Sequence, residues 1–166
     1  MLVVMKKWWI GVGIVAAIGL VVILGLVLGP KAAVPGSIKR QVTSTLLVPQ
    51  GGDTQVNRES MKYDSSIKLL TFNAVMGETK MVFSEQPTPD SLNDIPQVFD
   101  NLMSSMGQYS SFVTDTGTVN LTRPKELVGK QAAVLNSKGT LMFVKPDKDL
   151  SEDQWRKLFK NLAIVK

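Results

Sequence analysis

Residues 8–28 are twenty-one consecutive Trp, Ile, Gly, Val, Ala and Leu without a single charged side chain. Wound as a helix at 1.5 Å per residue, such a run is about 31 Å long, which matches the ~30 Å hydrocarbon core of a bilayer. A water-exposed helix of this length would be weakened by the glycines at 11, 13, 19 and 25, whereas glycine is tolerated in lipid. The sequence therefore predicts one transmembrane helix over residues 8–29. Lys6 and Lys7 precede it, and Trp8 and Trp9 stand where amphipathic rings favour the headgroup layer. A cleavable signal peptide is the competing reading, but its apolar core is normally only about 7–15 residues long.

Lys31, Lys39 and Arg40 on the far side nearly balance Lys6, Lys7 and the amino terminus. A short basic tail before a first span nevertheless behaves as a signal anchor, and a long following domain crosses largely regardless of its charge. The expected organisation is a cytoplasmic tail (1–7), the span (8–29), a tether (30–38) and an extracytoplasmic domain (39–166). Gly25 and Gly29 make a GxxxG spacing that could let two spans approach closely, so a homodimer through the span is one candidate assembly.

Beyond the tether the hydrophobic period alternates between two and about 3.6. Strand patterns cover 42–48, 66–76 and 80–84, the last two forming a hairpin around Gly77 and Glu78. The polar stretch 50–62 reads as an exposed loop. Ile95, Phe99, Leu102, Met103 and Met106 recur at helical steps, with Pro96 suited to the first turn and Gly107 to the position past the end. Strands follow at 109–114, 117–122, 131–135 and 140–145, the last pair turning around 136–139. Ser151 with Gln154 has capping-box spacing, ahead of an apolar stripe of Trp155, Leu158, Phe159 and Leu162. The expected fold class is α+β: an antiparallel sheet of about seven strands, order βββαββββα, with two helices packed on one face.

The composition removes most catalytic chemistry. With no Cys and no His, there is no disulfide framework, thiolate or imidazole metal site, Cys nucleophile or His-based triad. Ser65 and Lys68 have the bare S-x-x-K spacing of penicillin-recognising serine enzymes, and Ser60 with Met61 faintly resembles the serine block of membrane signal peptidases. The S-D-N and K-T-G partners of the first are missing, as is the second catalytic block of the other. Asp147, Asp149, Glu152 and Asp153 form the densest acidic group, better explained by a loop and a helix start than by a metal. Catalytic residues, cofactors and metals are all expected to be none. The formal charge of +5 is spread along the chain without a basic block interleaved with aromatics, so nucleic acid is not expected as a partner. Tyr63, Tyr109 and Phe112 have no packing role in these stripes and are the candidate binding surface, with Met103 and Met106 as candidate groove walls.

Three blocks, 83–102, 117–127 and 132–162, with Thr122-Arg123-Pro124 and Asp153-Gln154-Trp155-Arg156 as their most distinctive pieces, resemble uncharacterised single-span membrane proteins of candidate-phylum bacteria of the Saccharibacteria type. The resemblance covers most of residues 39–166. It implies a bacterial surface location and a folded outer domain, and no activity or catalytic residue. The sequence thus leads to the expectation of a single-pass membrane protein whose non-catalytic outer domain binds a partner or ligand at the cell envelope. Its partners would be the bilayer and an envelope protein or ligand; the alternatives are a structural subunit of a membrane assembly or a Ser-Lys hydrolase.

Overall fold

The structure is a computed structural model and describes residues 34–165. The apolar run and its flank, with Lys6, Lys7, Trp8, Trp9, Gly25 and Gly29, lie outside the described residues. Among the described residues no helix is long and apolar enough to cross a membrane.

The chain is an α+β fold dominated by antiparallel strands. Its elements in order are α1 (Gly36–Lys39), β1 (Leu46–Pro49), β2 (Thr54–Asp64), β3 (Leu69–Met76), β4 (Thr79–Pro87), α2 (Asp90–Asp94), α3 (Pro96–Ser105), β5 (Gln108–Thr114), β6 (Gly117–Thr122), β7 (Ala132–Ser137), β8 (Thr140–Pro146), α4 (Glu152–Lys160) and β9 (Leu162–Val165). Seven strands form one sheet in the order β2-β3-β4-β8-β7-β6-β5, and β1 pairs with β9 as a separate ribbon. Two meanders, β2–β4 and β5–β8, therefore meet along a β4/β8 seam, where Phe83 lies opposite Val144 and Glu85 opposite Met142. The β7/β8 turn has Lys138 and Gly139 both at positive φ, 54° and 75°, the backbone that matches the twist of a two-residue hairpin.

Successive side chains on a strand point to opposite faces. One face of the sheet carries Leu70, Phe72, Ala74, Met81, Phe83, Ala133, Leu135, Met142 and Val144, all in the main core. Phe72 and Phe83, opposite each other in the ladder, stack with centroids 4.7 Å apart. Trp155, Leu158 and Phe159 of α4, Leu46–Val48 of β1 and Ile38 of α1 belong to the same core. The helix α4 begins as its sequence requires: Ser151 Oγ accepts from the Gln154 N–H at 3.3 Å while Gln154 Oε1 accepts from the Ser151 N–H at 2.8 Å.

The second helix is not on that face. Met103 of α3, with Phe99, Leu102 and Met106, packs against Val134, Leu141 and Phe143, which alternate with the main-core residues of β7 and β8 and so point the other way. This corrects the expectation of two helices on one face. The physical reason is that β7 and β8 are apolar at consecutive positions, Ala132 to Leu135 and Leu141 to Val144; both their faces need cover, the signature of a strand buried on both sides.

Other differences have similar causes. Residues 54–62, within the stretch expected to be a loop, belong to the edge strand β2 (54–64), polar because only Met61 on it is buried. Edge strands are commonly charged and bulged, which discourages further pairing, and β2 is bulged between Asn57 and Lys62. Residues 34–38, read as tether, contribute Val34 and Ile38 to the core. The short strand β9 was not foreseen because its partner β1 lies more than a hundred residues earlier.

Glu85 on β4 points into the main core and is 1% exposed. Its Oε2 accepts the Leu47 N–H at 3.1 Å, fastening β1 to the sheet. Its Oε1 has no hydrogen-bond partner. Burial pushes this carboxyl up to about 8, opposed only in part by the Leu47 bond.

Candidate functional site

Because α2 and α3 pack against β7 and β8, their face of the sheet is left bare over β2, β3 and β4. Ladder register lays this floor out in rows: Gln55, Val75 and Lys80; then Asn57, Asn73, Val82 and Lys145; then Lys62, Thr71, Ser84 and Phe143. Val75 is 38% and Val82 42% exposed, so two valines sit side by side in solvent on a sheet. The floor rows carry three lysines, Lys62, Lys80 and Lys145, with the carboxylate of Glu59 beside them on β2. Asp147, at the floor's margin, is already committed: its Oδ1 accepts the Lys80 N–H at 2.9 Å.

The β6–β7 connection forms a wall. Lys125–Leu127 is one turn of 3-10 helix, followed by Val128 in the left-handed region at φ 55° and ψ 39°. Val128 is 91% exposed. For a β-branched residue that backbone is an outlier costing roughly 1–2 kcal/mol, here with no burial to offset it. Between wall and floor is a groove of ≈ 690 Å³ lined by Val75, Val82, Leu127 and Val128, with Lys80, Lys130 and Lys145 facing the carboxylates of Glu126 and Asp147. A shallower, polar cavity of ≈ 450 Å³ shares Asn57, Asn73 and Val82 with it and continues to Ser60, Lys62 and Thr71.

The wall is held from behind. Arg123 donates from Nη1 to the Gly129 carbonyl at 2.9 Å and from Nη2 to Asp149 at 2.7 Å, and its guanidinium lies 5.3 Å from the Tyr109 ring centroid. The hydrogen bond from Arg123 holds the Asp149 carboxyl below the usual carboxylate range, while partial burial raises the Tyr109 phenol. Gln131 Oε1 accepts from the Leu150 N–H at 2.8 Å and from Trp155 Nε1 at 3.1 Å. The two distinctive sequence pieces thus have structural roles: Thr122-Arg123-Pro124 sets the wall, and Trp155 ties its base to α4.

The strain at Val128 is testable. Val128→Asn places a residue that tolerates the left-handed region at the same exposed position. We expect a gain of about 1 kcal/mol in chemical denaturation; an unchanged or lower stability would show that the backbone there carries no such cost.

The residues singled out from sequence fall elsewhere. Tyr63 is half-buried against the main core from β2, whereas Tyr109 and Phe112 are on β5 at the opposite edge of the sheet, so the three do not form one surface. Phe112 is a core residue, 4% exposed, with its ring edge-on to Phe159 at 6.2 Å and the Arg156 guanidinium 4.8 Å above it. Met103 is buried beneath α3 and walls no groove. Ser65 and Lys68 are exposed in the β2–β3 turn, where it is Ser66 that bonds Asp64, at 2.6 Å, and lowers that carboxyl. Ser60 repairs the β2 bulge, donating to the Asn57 carbonyl at 2.6 Å and accepting the Asn73 N–H at 2.8 Å. Glu152 pairs with Arg156 at 2.6 Å, one helical turn on. Among the described residues no three acidic side chains are placed to hold a metal.

No protein-family model matches the sequence, and neither curated proteins nor solved structures match it.

Proposed function

We propose that this chain is a single-span, membrane-anchored protein whose extracytoplasmic α+β domain binds a partner or ligand, without catalysis, on the bare face of its sheet. The observation that carries this reading is the groove: exposed Val75 and Val82 lie beneath a loop that spends backbone strain to hold exposed Val128 over them. Exposed apolar side chains clustered in a concavity and rimmed by polar groups mark binding sites. The volume, ≈ 690 Å³, falls within the ~300–1,000 Å³ typical of ligand clefts. The anchor rests on residues 8–28 of the sequence.

A photo-crosslinking residue at position 82 of the full chain in intact cells tests this, with position 113 as control. Val113 is equally apolar and 76% exposed, but lies on the far edge strand β5. We expect adducts from 82 and not from 113. Equal yields from the two positions, or none from 82, would refute the reading. Added protease on wall-stripped cells should digest the domain if it is outside.

A further inference from the structure

We propose that the β1/β9 ribbon is a releasable cover over the main core, latched shut by the Glu85 carboxyl and freed when that carboxyl ionises. The ribbon lies on the face of the sheet opposite the groove, so this device does not depend on what the groove holds. Three features carry it.

The first is how the ribbon is attached. Among the described residues β1 and β9 pair only with each other, over four residue pairs from Leu46–Val165 to Pro49–Leu162, and a two-stranded ribbon is at best marginally stable by itself. β4, by contrast, is held between β3 and β8 over seven pairs on each side. Two hydrogen bonds tie the ribbon to this sheet: the Leu47 N–H donates to Glu85 Oε2 at 3.1 Å, and Thr140 Oγ1 donates at 2.5 Å to the carbonyl of Thr45, the residue ahead of β1. The second is what surrounds Glu85. Its ladder neighbours are Leu70 and Met142, and neither β1 nor β9 has a charged residue. The charged residues of α4 and β2 are exposed and Lys39 of α1 is half-buried; what β2 and α1 pack against this core is Met61, Tyr63 and Ile38. Glu85 is the one ionisable side chain buried among the described residues.

The third is the other carboxyl oxygen. Oε1 has no hydrogen-bond partner, so an ionised Glu85 holds its charge in apolar surroundings with the Leu47 N–H as donor, which is costly until water reaches it. β4 is fixed on both sides, and the ribbon, which brings that donor, is the cover that lifts. The direction follows from linkage. With the ribbon lifted the carboxyl titrates near its ordinary 4.5, and beneath the ribbon near 8. Between those values each opening releases a proton, so the open fraction rises about tenfold per pH unit and levels off above the upper value.

Hydrogen exchange of the full chain in mild detergent, followed from about pH 5 to about pH 9 at several low denaturant concentrations, tests this, because local opening depends weakly on denaturant and global unfolding steeply. After correction for the intrinsic exchange rate, we expect protection of the amides at 46–48 and 162–165 to fall about tenfold per pH unit up to about pH 8. That fall should depend weakly on denaturant, while β6 and β7 stay more protected. In Glu85→Gln the protection of the ribbon should be constant across the range. Thr140→Val, which removes the second tie and no charge, should lower it several-fold at every pH and leave the slope unchanged. A ribbon that loses protection only together with β6 and β7, and as steeply in denaturant, overturns the proposal. So does a flat profile in the parent, the same fall in Glu85→Gln, or a slope that Thr140→Val abolishes.

Discussion

Unfolding free energy is expected to fall as pH rises from about 5 to about 9, and Glu85→Gln is expected to remove most of that slope. A free glutamate carboxyl titrates near 4.5 and the buried Glu85 carboxyl near 8. Between those values the unfolded chain has lost a proton that the folded chain keeps, so stability declines throughout the interval and levels off above it. The difference corresponds to roughly 4–5 kcal/mol, a large share of the ~5–15 kcal/mol that holds a domain together. Glutamine keeps an oxygen for the Leu47 N–H and has no charge to acquire. At pH 9 the variant should therefore be the more stable protein, and at pH 5 close to the parent. Asp64 and Asp149, whose carboxyls are lowered, add stability that is lost only as pH falls through the acid range, outside this window. The Tyr109 phenol, raised from 10, titrates above it. Urea unfolding of the full chain in mild detergent at several pH values measures the slope. A parent and variant with parallel pH profiles would mean that Glu85 is already ionised in the fold.

Trp155→Ala should cost about 3–5 kcal/mol by the same measurement, the usual loss for deleting a large ring from a closed core. The side chain is fully buried, stands 6.1 Å from the Phe159 ring and donates to Gln131 Oε1. Removing it opens a cavity and takes one of the two donors from a buried amide oxygen. The damage should also reach the groove, because Gln131 adjoins the loop that carries Val128. Hydrogen exchange at residues 125–130 is expected to accelerate in Trp155→Ala and much less in Trp155→Phe, which fills most of the space. Uniform loosening of the whole domain in both variants would argue that the wall is not held through this contact.

Glu85 also shows what a sequence conceals. In β4 it follows Met81 and Phe83 at the next inward position, one residue beyond the strand read from sequence at 80–84. Carboxylates are rarely buried without a partner, so the local pattern gives no reason to carry the inward face on through Glu85. Only the docking of the β1/β9 ribbon against the main core brings up the Leu47 N–H that makes the site tolerable. The α4 helix is the opposite case. Its cap, its stripe and the acid-to-base order of its ends all lie within a dozen residues, and the structure reproduces them through Lys160 because each is a local interaction, with Leu162 of the predicted stripe opening β9 instead.

The candidate site divides along the same line. Alternation along β3 placed Thr71, Asn73 and Val75 together on one face, but nothing in the strand itself says which face a helix will cover. Aromatic residues were therefore the natural candidates, and the fold consumed Phe112 in the core and set Tyr63 and Tyr109 at opposite edges.

From the chain alone came the apolar run at 8–28, the hairpins, the helix starts and the α+β class. All of these depend on turn chemistry and hydrophobic period over short separations, where neighbours in sequence are neighbours in space. The β4/β8 seam, the β1/β9 ribbon, the division of α3 and α4 between opposite faces and the bare lysine-and-valine floor were settled by tertiary structure. Each depends on which distant surfaces are buried against one another, and burial is a property of the assembled whole.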